Sequence, residues 1–288
     1  MTDIGPAHAL LLAGLLAERH RAGLSGSRLA AALNWDQSKV SRLETGTQKP
    51  QPALVEAWLN ATGATPERTQ ELVALAQEIS FEAKPWAQVY AEAGGAAAKQ
   101  ASTGPFGDTA TSIVVFQPNI IPGVAQTAGF ARWQLERGST PPEDLDAAVD
   151  ARMDRRQMLY DPDRQITLLI LESAIRRRTT SLDILAGQLD RLIDLAELKT
   201  LRLGIVPDLG TGPDDIVLPE SPSVAFYLFG FADEPSVVTV ETPTRELVVT
   251  APTDVASFQE SASRFETVAA FGPAAVAIIR RIKSSLDL

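Results

Sequence analysis

Twenty residues, Gly26 to Thr45, restrict this chain more than any other stretch does. They place Leu29, Leu33, Trp35, Val40 and Leu43 where two short crossing helices bury apolar side chains against each other. Ala30 stands at the point of closest approach and Asn34 at the turn. Asparagine accepts the left-handed backbone of such a turn better than any residue but glycine. Seven positions therefore agree on a helix-turn-helix, whereas an arbitrary helical hairpin has no reason to satisfy them together.

The flanks extend this to five helices. The first runs from Pro6 to about Arg21 with Leu12, Leu15 and Leu16 on one side, and Gly23 ends it. Ser25 is the expected N-cap of the second helix, and Asp36 that of the third, which reaches about Thr45 before Gly46 stops it. A fourth opens at Pro50 and Pro52 and runs to Thr62. Thr65-Pro66-Glu67 starts a fifth, whose apolar positions continue to about Phe81.

The third helix presents a chemical face opposite Val40 and Leu43. Gln37, Ser38 and Lys39 form its first turn, the part of a recognition helix that meets base edges, and Arg42 projects on the same side. Glutamine suits adenine and arginine suits guanine through paired hydrogen bonds. Ser41 and Arg28 extend the candidate nucleic-acid contacts, and Thr47, Gln48 and Lys49 in the next loop are placed to hold phosphates.

The net charge of −10 taken as a whole disfavours such a partner, but its distribution favours one. Between residues 19 and 49 six cations (Arg19, Arg21, Arg28, Lys39, Arg42, Lys49) face two acids, Asp36 and Glu44. A compact basic face on an acidic body binds phosphate while the body discourages loose binding. The chain has no cysteine and only two histidines, His8 and His20. That excludes thiolate zinc sites, a cysteine nucleophile and a Ser-His-Asp triad in the later two-thirds. No metal or cofactor is expected. Neither a secretory signal nor a membrane-spanning apolar run is visible, so a cytoplasmic location without membrane contact is expected.

Two domains are predicted: residues 1–82 as the helix-turn-helix domain and 83–288 as a larger α+β domain for regulation, dimerisation or partner binding. Pro85 and the Gly94–Pro105 stretch read as connector and loop. Strands are expected at 113–116, 166–171, 201–206, 224–229, 237–240 and 247–249, and helices at about 125–137, 143–160, 181–198, 254–270 and 273–285. Strands crowd together after residue 201, which favours α+β over a regular βαβ winding. The larger domain shows little overt chemistry. Asp214-Asp215 reads as a solvated pair rather than a cation site, which needs a third ligand. Gly210-Thr211-Gly212 lacks the lysine and following helix of a phosphate loop. Arg176-Arg177-Arg178 is either a solvated helix end or a receptor for an anion. Tyr227, Phe229 and Phe231 share one face of a strand, as core or as the wall of a ligand pocket.

The string Leu24-Ser25-Gly26-Ser27-Arg28-Leu29-Ala30, followed by Ser38-Lys39-Val40-Ser41-Arg42-Leu43-Glu44-Thr45-Gly46 and Pro50, resembles the xenobiotic-response-element (XRE) family, relatives of lambdoid phage repressors. That resemblance implies a lambda-repressor-like five-helix domain. It also implies a structural salt bridge between Arg19 of the first helix and Glu44 ending the recognition helix, which removes Arg19 from the phosphate contacts. Many members carry a phosphate-touching glutamine at the start of the second helix, where this chain has Gly26.

The segments Phe116-Gln117-Pro118-Asn119-Ile120-Ile121-Pro122-Gly123, Arg152-Met153-Asp154-Arg155-Arg156-Gln157 and Leu171-Glu172-Ser173-Ala174-Ile175-Arg176-Arg177 are similar to an actinobacterial group of XRE regulators. Their C-terminal domain is antitoxin-like. The resemblance implies a transcriptional regulator, commonly encoded beside a small partner protein. The expected partners are double-stranded DNA with a palindromic operator, a second copy of the chain, that small protein and a small-molecule effector. An antitoxin-like interaction module that neutralises the small protein and regulates its own operon is the alternative. An enzyme is not expected, because the later part lacks both histidine and cysteine.

Overall fold

A computed structural model describes residues 6–48, 50–101, 106–138, 142–208 and 218–286. Lys49, Gly210-Thr211-Gly212 and Asp214-Asp215 lie outside the described residues. The chain divides into two compact units: residues 1–82 with 248–251, and residues 83–247 with 252–288.

The first unit holds α1 (Pro6–Arg21), α2 (Gly26–Leu33), α3 (Gln37–Glu44), α4 (Pro52–Thr62) and α5 (Pro66–Ser80). Leu11, Leu15, Leu29, Val40, Leu43, Val55, Trp58, Leu59 and Leu72 form one buried cluster at their centre. Each such side chain withdrawn from water contributes about 1.5–3 kcal/mol. Trp58 is fully buried, and its indole Nε1 donates to the carbonyl of Leu15 at 3.1 Å, so no polar atom is stranded there. Gly14 lets α1 and α5 close up, since a Cβ would stand 2.6 Å from Leu72 Cδ2.

The α2–α3 turn is built as its sequence requires. Ser25 Oγ accepts from Arg28 N and caps α2. Asn34 adopts φ 53°, ψ 43°, the one non-glycine residue with positive φ among those described, and the amide of Trp35 returns to Ala30 O at 2.9 Å. One expectation needs correction. Asp36 occupies the N-cap position of α3, but its side chain makes no capping hydrogen bond. The first turn of α3 thus keeps amides that no side chain of its own cap engages.

After β1 (Phe81–Pro85) come α6 (Trp86–Ala93) and α7 (Ala96–Ala101), the second of them inside the stretch Gly94–Pro105 that was expected to be loop. Gly94 and Gly95, at φ 85° and 119°, only turn the chain between them. The Ala96-Ala97-Ala98-Lys99-Gln100-Ala101 run has the highest helix propensity available, and the flanking glycines disguised it. Then follow β2 (Ser112–Gln117), α8 (Ala128–Glu136), α9 (Leu145–Asp154), β3 (Gln165–Leu171), α10 (Glu172–Arg176), α11 (Leu182–Ala196) and β4 (Leu201–Val206). The helix expected over 143–160 is divided: α9 passes at Arg155 into a tighter 3₁₀ segment. The chain continues with β5 (Phe226–Gly230), β6 (Val237–Glu241), β7 (Arg245–Val249), α12 (Pro252–Val268), β8 (Ala270–Phe271) and α13 (Pro273–Ser285).

The fold is mixed helix and sheet, with strands in the order β1-β7-β6-β5-β2-β3-β4-β8. β2, β3 and β4 run parallel through helical crossovers, whereas β5 lies antiparallel to both β2 and β6. One sheet face carries Phe116, whose ring stacks on Phe265 of α12 at 4.3 Å and packs beside Phe226. The other face begins as core with Ile113, Val115 and Phe229. Along the same strands it turns polar at Gln117, Tyr227, Thr239 and Glu241, and there the packing opens into a cavity.

Candidate functional site

On α3, Val40 and Leu43 are 1% exposed and locked into the core, which turns Gln37, Ser38, Ser41 and Arg42 outward. Arg28 of α2 and Thr47 beyond α3 are also exposed. Lys39 is half-buried, its ammonium 4.3 Å from the centroid of the Trp35 ring. Such a cation–π contact holds the charge loosely, at about 0.5–1 kcal/mol. Thr47 Oγ1 lies 2.9 Å from Thr45 Oγ1, which in turn donates to Ser41 O, so the loop after α3 is tied to the helix.

Of the five described cations between residues 19 and 49, two are used internally. Arg19 Nε meets Glu44 Oε1 at 2.5 Å and its Nη1 donates to Leu24 O at 2.8 Å, bracing the end of α3 against α1. Arg21 pairs with Glu18 at 2.7 Å and donates to the carbonyls of Thr62 and Gly63. At position 26 an added Cβ would meet only Val40 Cγ1, at an ordinary 3.8 Å, so Gly26 leaves room for a side chain.

The second unit contains a cavity of about 350 Å³. Its floor is the polar end of the sheet face: Gln117, Tyr227, Thr239 and Glu241. Trp86 and Tyr90 of α6 and Lys99 of α7 close another side. Trp86 Nε1 donates to Thr242 O at 2.9 Å, and Lys99 pairs with Glu246 at 2.7 Å, which fixes both helices to the β6–β7 turn. Arg152 and Arg155, at the end of α9, enter beside the loop that follows β2. Arg152 is 7% exposed, and each of its hydrogen bonds goes to a neutral amide: Nε and Nη2 to Gln100 Oε1, Nη1 to Gln126 Oε1. Gln126 is itself fixed through Ile121 O and Gln134.

A family model described as a helix-turn-helix domain matches residues 12–72, from within α1 to within α5. A second, described as a domain of unknown function (DUF5753), matches residues 106–281, well over half of the chain. The chain belongs to the DUF5753 family. No curated protein and no solved structure matches it. The first match makes this a chain with a DNA-binding helix-turn-helix domain. In the DUF5753 domain, no helix among the described residues is long and apolar enough to cross a membrane, and the same holds for the rest of them.

The electrostatics of the DUF5753 cavity are those of charges kept from water. Burial above all, and then the neighbouring Arg155, pushes the Arg152 pKa down to about 10. Burial lowers Arg155 as well, against the pull of Tyr227, Glu241 and Asp108. Tyr227 is pushed up to about 12 by burial and by Glu241, and Tyr90 rises for the same two reasons. Glu241 lines the cavity and stays exposed, and the loss of water contact to the protein around it raises its pKa despite Lys99 and the two arginines. The Glu241 side chain has no hydrogen bond or ion pair among the described residues.

None of Arg152, Arg155, Lys99 and Glu241 was singled out as a site residue from sequence. The available signal was weak: two arginines three apart on a helix whose preceding turn, Ala148 and Val149, is buried. Of the residues that were singled out, Tyr227 stands on the cavity wall while stacking on Phe229 at 6.2 Å, so pocket and core share that strand. In the arginine triplet, Arg176 pairs with the buried Glu172 at 2.6 Å, and Arg177 and Arg178 are exposed.

Proposed function

We propose that this protein is a sequence-specific transcriptional regulator of the XRE class, which reads the DNA major groove with α3. The observation that carries this reading is the exposed row Gln37, Ser38, Ser41 and Arg42 on a helix whose opposite face is locked by Val40 and Leu43. Gln37, Ser38 and Arg42 meet base edges, and Lys39 leaves Trp35 to join them or a phosphate. Arg28, Ser41, Thr47 and Lys49 hold the backbone. Arg19 and Glu44 act only as the brace that sets the angle of α3.

The protein acts in the cytoplasm as a homodimer on a palindromic operator, because two half-sites about one helical turn apart supply affinity that one short helix lacks. The DUF5753 domain modulates this binding. The test is affinity for a selected DNA fragment across a salt series. The logarithm of the binding constant should fall linearly with the logarithm of salt concentration, by about 0.9 per phosphate engaged. Binding indifferent to salt contradicts the reading.

A further inference from the structure

We propose that the cavity of the DUF5753 domain is a binding site for a small organic acid with a hydrogen-bond donor at its far end. Its carboxylate lies toward Arg152 and Arg155, its donor toward Glu241, and an apolar or aromatic body between them contacts Trp86, Tyr90 and Tyr227. Such a site stands whether or not α3 reads DNA.

Three observations converge. The cavity has the size of a small-molecule site, roughly 300–1,000 Å³, and its lining joins the rings of Trp86, Tyr90 and Tyr227 to a largely polar and charged wall, which suits a polar ligand. Its arginine side is prepared for an anion. Arg152 is buried and held by Gln100 and Gln126, which orient the guanidinium without neutralising it. A tether between two glutamines needs no charge, and a second guanidinium close by raises the cost of keeping one. An incoming carboxylate removes that cost and accepts charge-assisted hydrogen bonds. Glu241, which feels the charge of both arginines, also lines the cavity, and its side chain is an acceptor with no donor supplied by the described residues, so a ligand hydroxyl or ammonium completes it.

The loop after β2 is shaped for this purpose at Gly123. A Cβ there would stand 2.7 Å from Arg155 Nη2 and 3.7 Å from Arg152 Cζ. The glycine therefore lets the guanidinium of Arg155 occupy the cavity wall. Because the obstructed atom is the end of a flexible side chain, Gly123→Ala displaces the charge while leaving the fold intact. Glu241→Gln exchanges the acceptor carboxylate for an amide without changing shape.

The experiment is calorimetric titration of the full chain with 4-hydroxyphenylacetate, phenylacetate and 4-hydroxyphenylacetamide. The first carries both the acid and the donor; the others lack one each. We expect 4-hydroxyphenylacetate to bind, with removal of either group weakening it by about tenfold or more, the equivalent of one charge-assisted hydrogen bond. Gly123→Ala should erase most of the difference between acid and amide. Glu241→Gln should erase most of the difference between the hydroxylated and plain acids. Circular dichroism confirms that each variant is folded. Failure of 4-hydroxyphenylacetate to bind at millimolar concentration, equal binding of all three compounds, or variants that leave both differences unchanged would each overturn the assignment.

Discussion

The two units hold their polar chemistry in opposite ways. On α3 the reactive-looking groups stand in solvent and the apolar residues beneath them do the positioning. In the DUF5753 domain Arg152, Gln117 and Thr239 are buried at the cavity, and other polar groups, Gln100, Gln126 and Gln134, do the positioning around Arg152. The contrast follows from partner size. A DNA duplex comes to an open convex face and supplies its own charge, so the protein need only present side chains. A small molecule must be surrounded, so its site inherits the desolvation that displaces the pKa values of Arg152, Tyr227 and Glu241.

The comparison can be broken first at the frame of the helix-turn-helix. Leu29 is fully buried between α2 and α3. Leu29→Ala should cost the first unit about 2–5 kcal/mol and abolish DNA binding, while binding of 4-hydroxyphenylacetate to the DUF5753 domain persists. Chemical denaturation followed by both readouts checks this; simultaneous loss of the two would show that the units do not act separately. Next in size is Arg19→Ala, which leaves Glu44 and the Leu24 carbonyl without their donor. A loss of roughly 2–3 kcal/mol in stability is expected, with no change in the salt slope of DNA binding, since Arg19 engages no phosphate.

Smaller effects sharpen the contrast. Gly26→Gln introduces a long polar side chain at the start of α2, in space bordered only by Val40. It should steepen the salt slope by about 0.9, the value for one added phosphate contact, and an unchanged slope would show that position 26 faces away from the backbone. The smallest effect concerns pH. The folded-state pKa of Glu241 is raised above its ordinary 4.5, so the folded protein holds this proton more tightly than the unfolded chain does. That contribution to stability is full below about 4.5 and is lost as pH rises through the folded-state value. Glu241→Gln, which has no such loss, should therefore gain in melting temperature relative to the parent as pH rises from 4.5 to neutrality. A gap independent of pH would place Glu241 in a more polar setting than the cavity provides.

The same contrast explains how far the sequence could be read. The helix-turn-helix is local: Leu29, Ala30, Asn34, Val40 and Leu43 lie within one short stretch, and their period states which side of α3 is outward. Six of the strands were legible for a similar reason, as apolar runs such as Ile166–Leu171, whereas β1 and β8 fall where helix ends were expected. The cavity was not, because its walls come from α6 and α7, the β2 end, α9 and β6, joined only by the fold. Two of those walls, α6 and α7, were hidden behind Pro85 and the Gly94-Gly95 pair, which mark helix ends rather than a long loop. Asp36 failed as a cap because composition gives a suitable residue but not its rotamer.

Whether α3 reads base edges is decided by DNA selection with the parent chain and Arg42→Ala. Bound fragments are recovered from a random pool for each protein and their aligned sites compared. The parent should yield a two-fold symmetric site, and Arg42→Ala should lose preference at one position in each half-site, worth about 1–3 kcal/mol, while the other positions persist. An Arg42→Ala variant that recovers the same site with undiminished preference at every position would contradict the account.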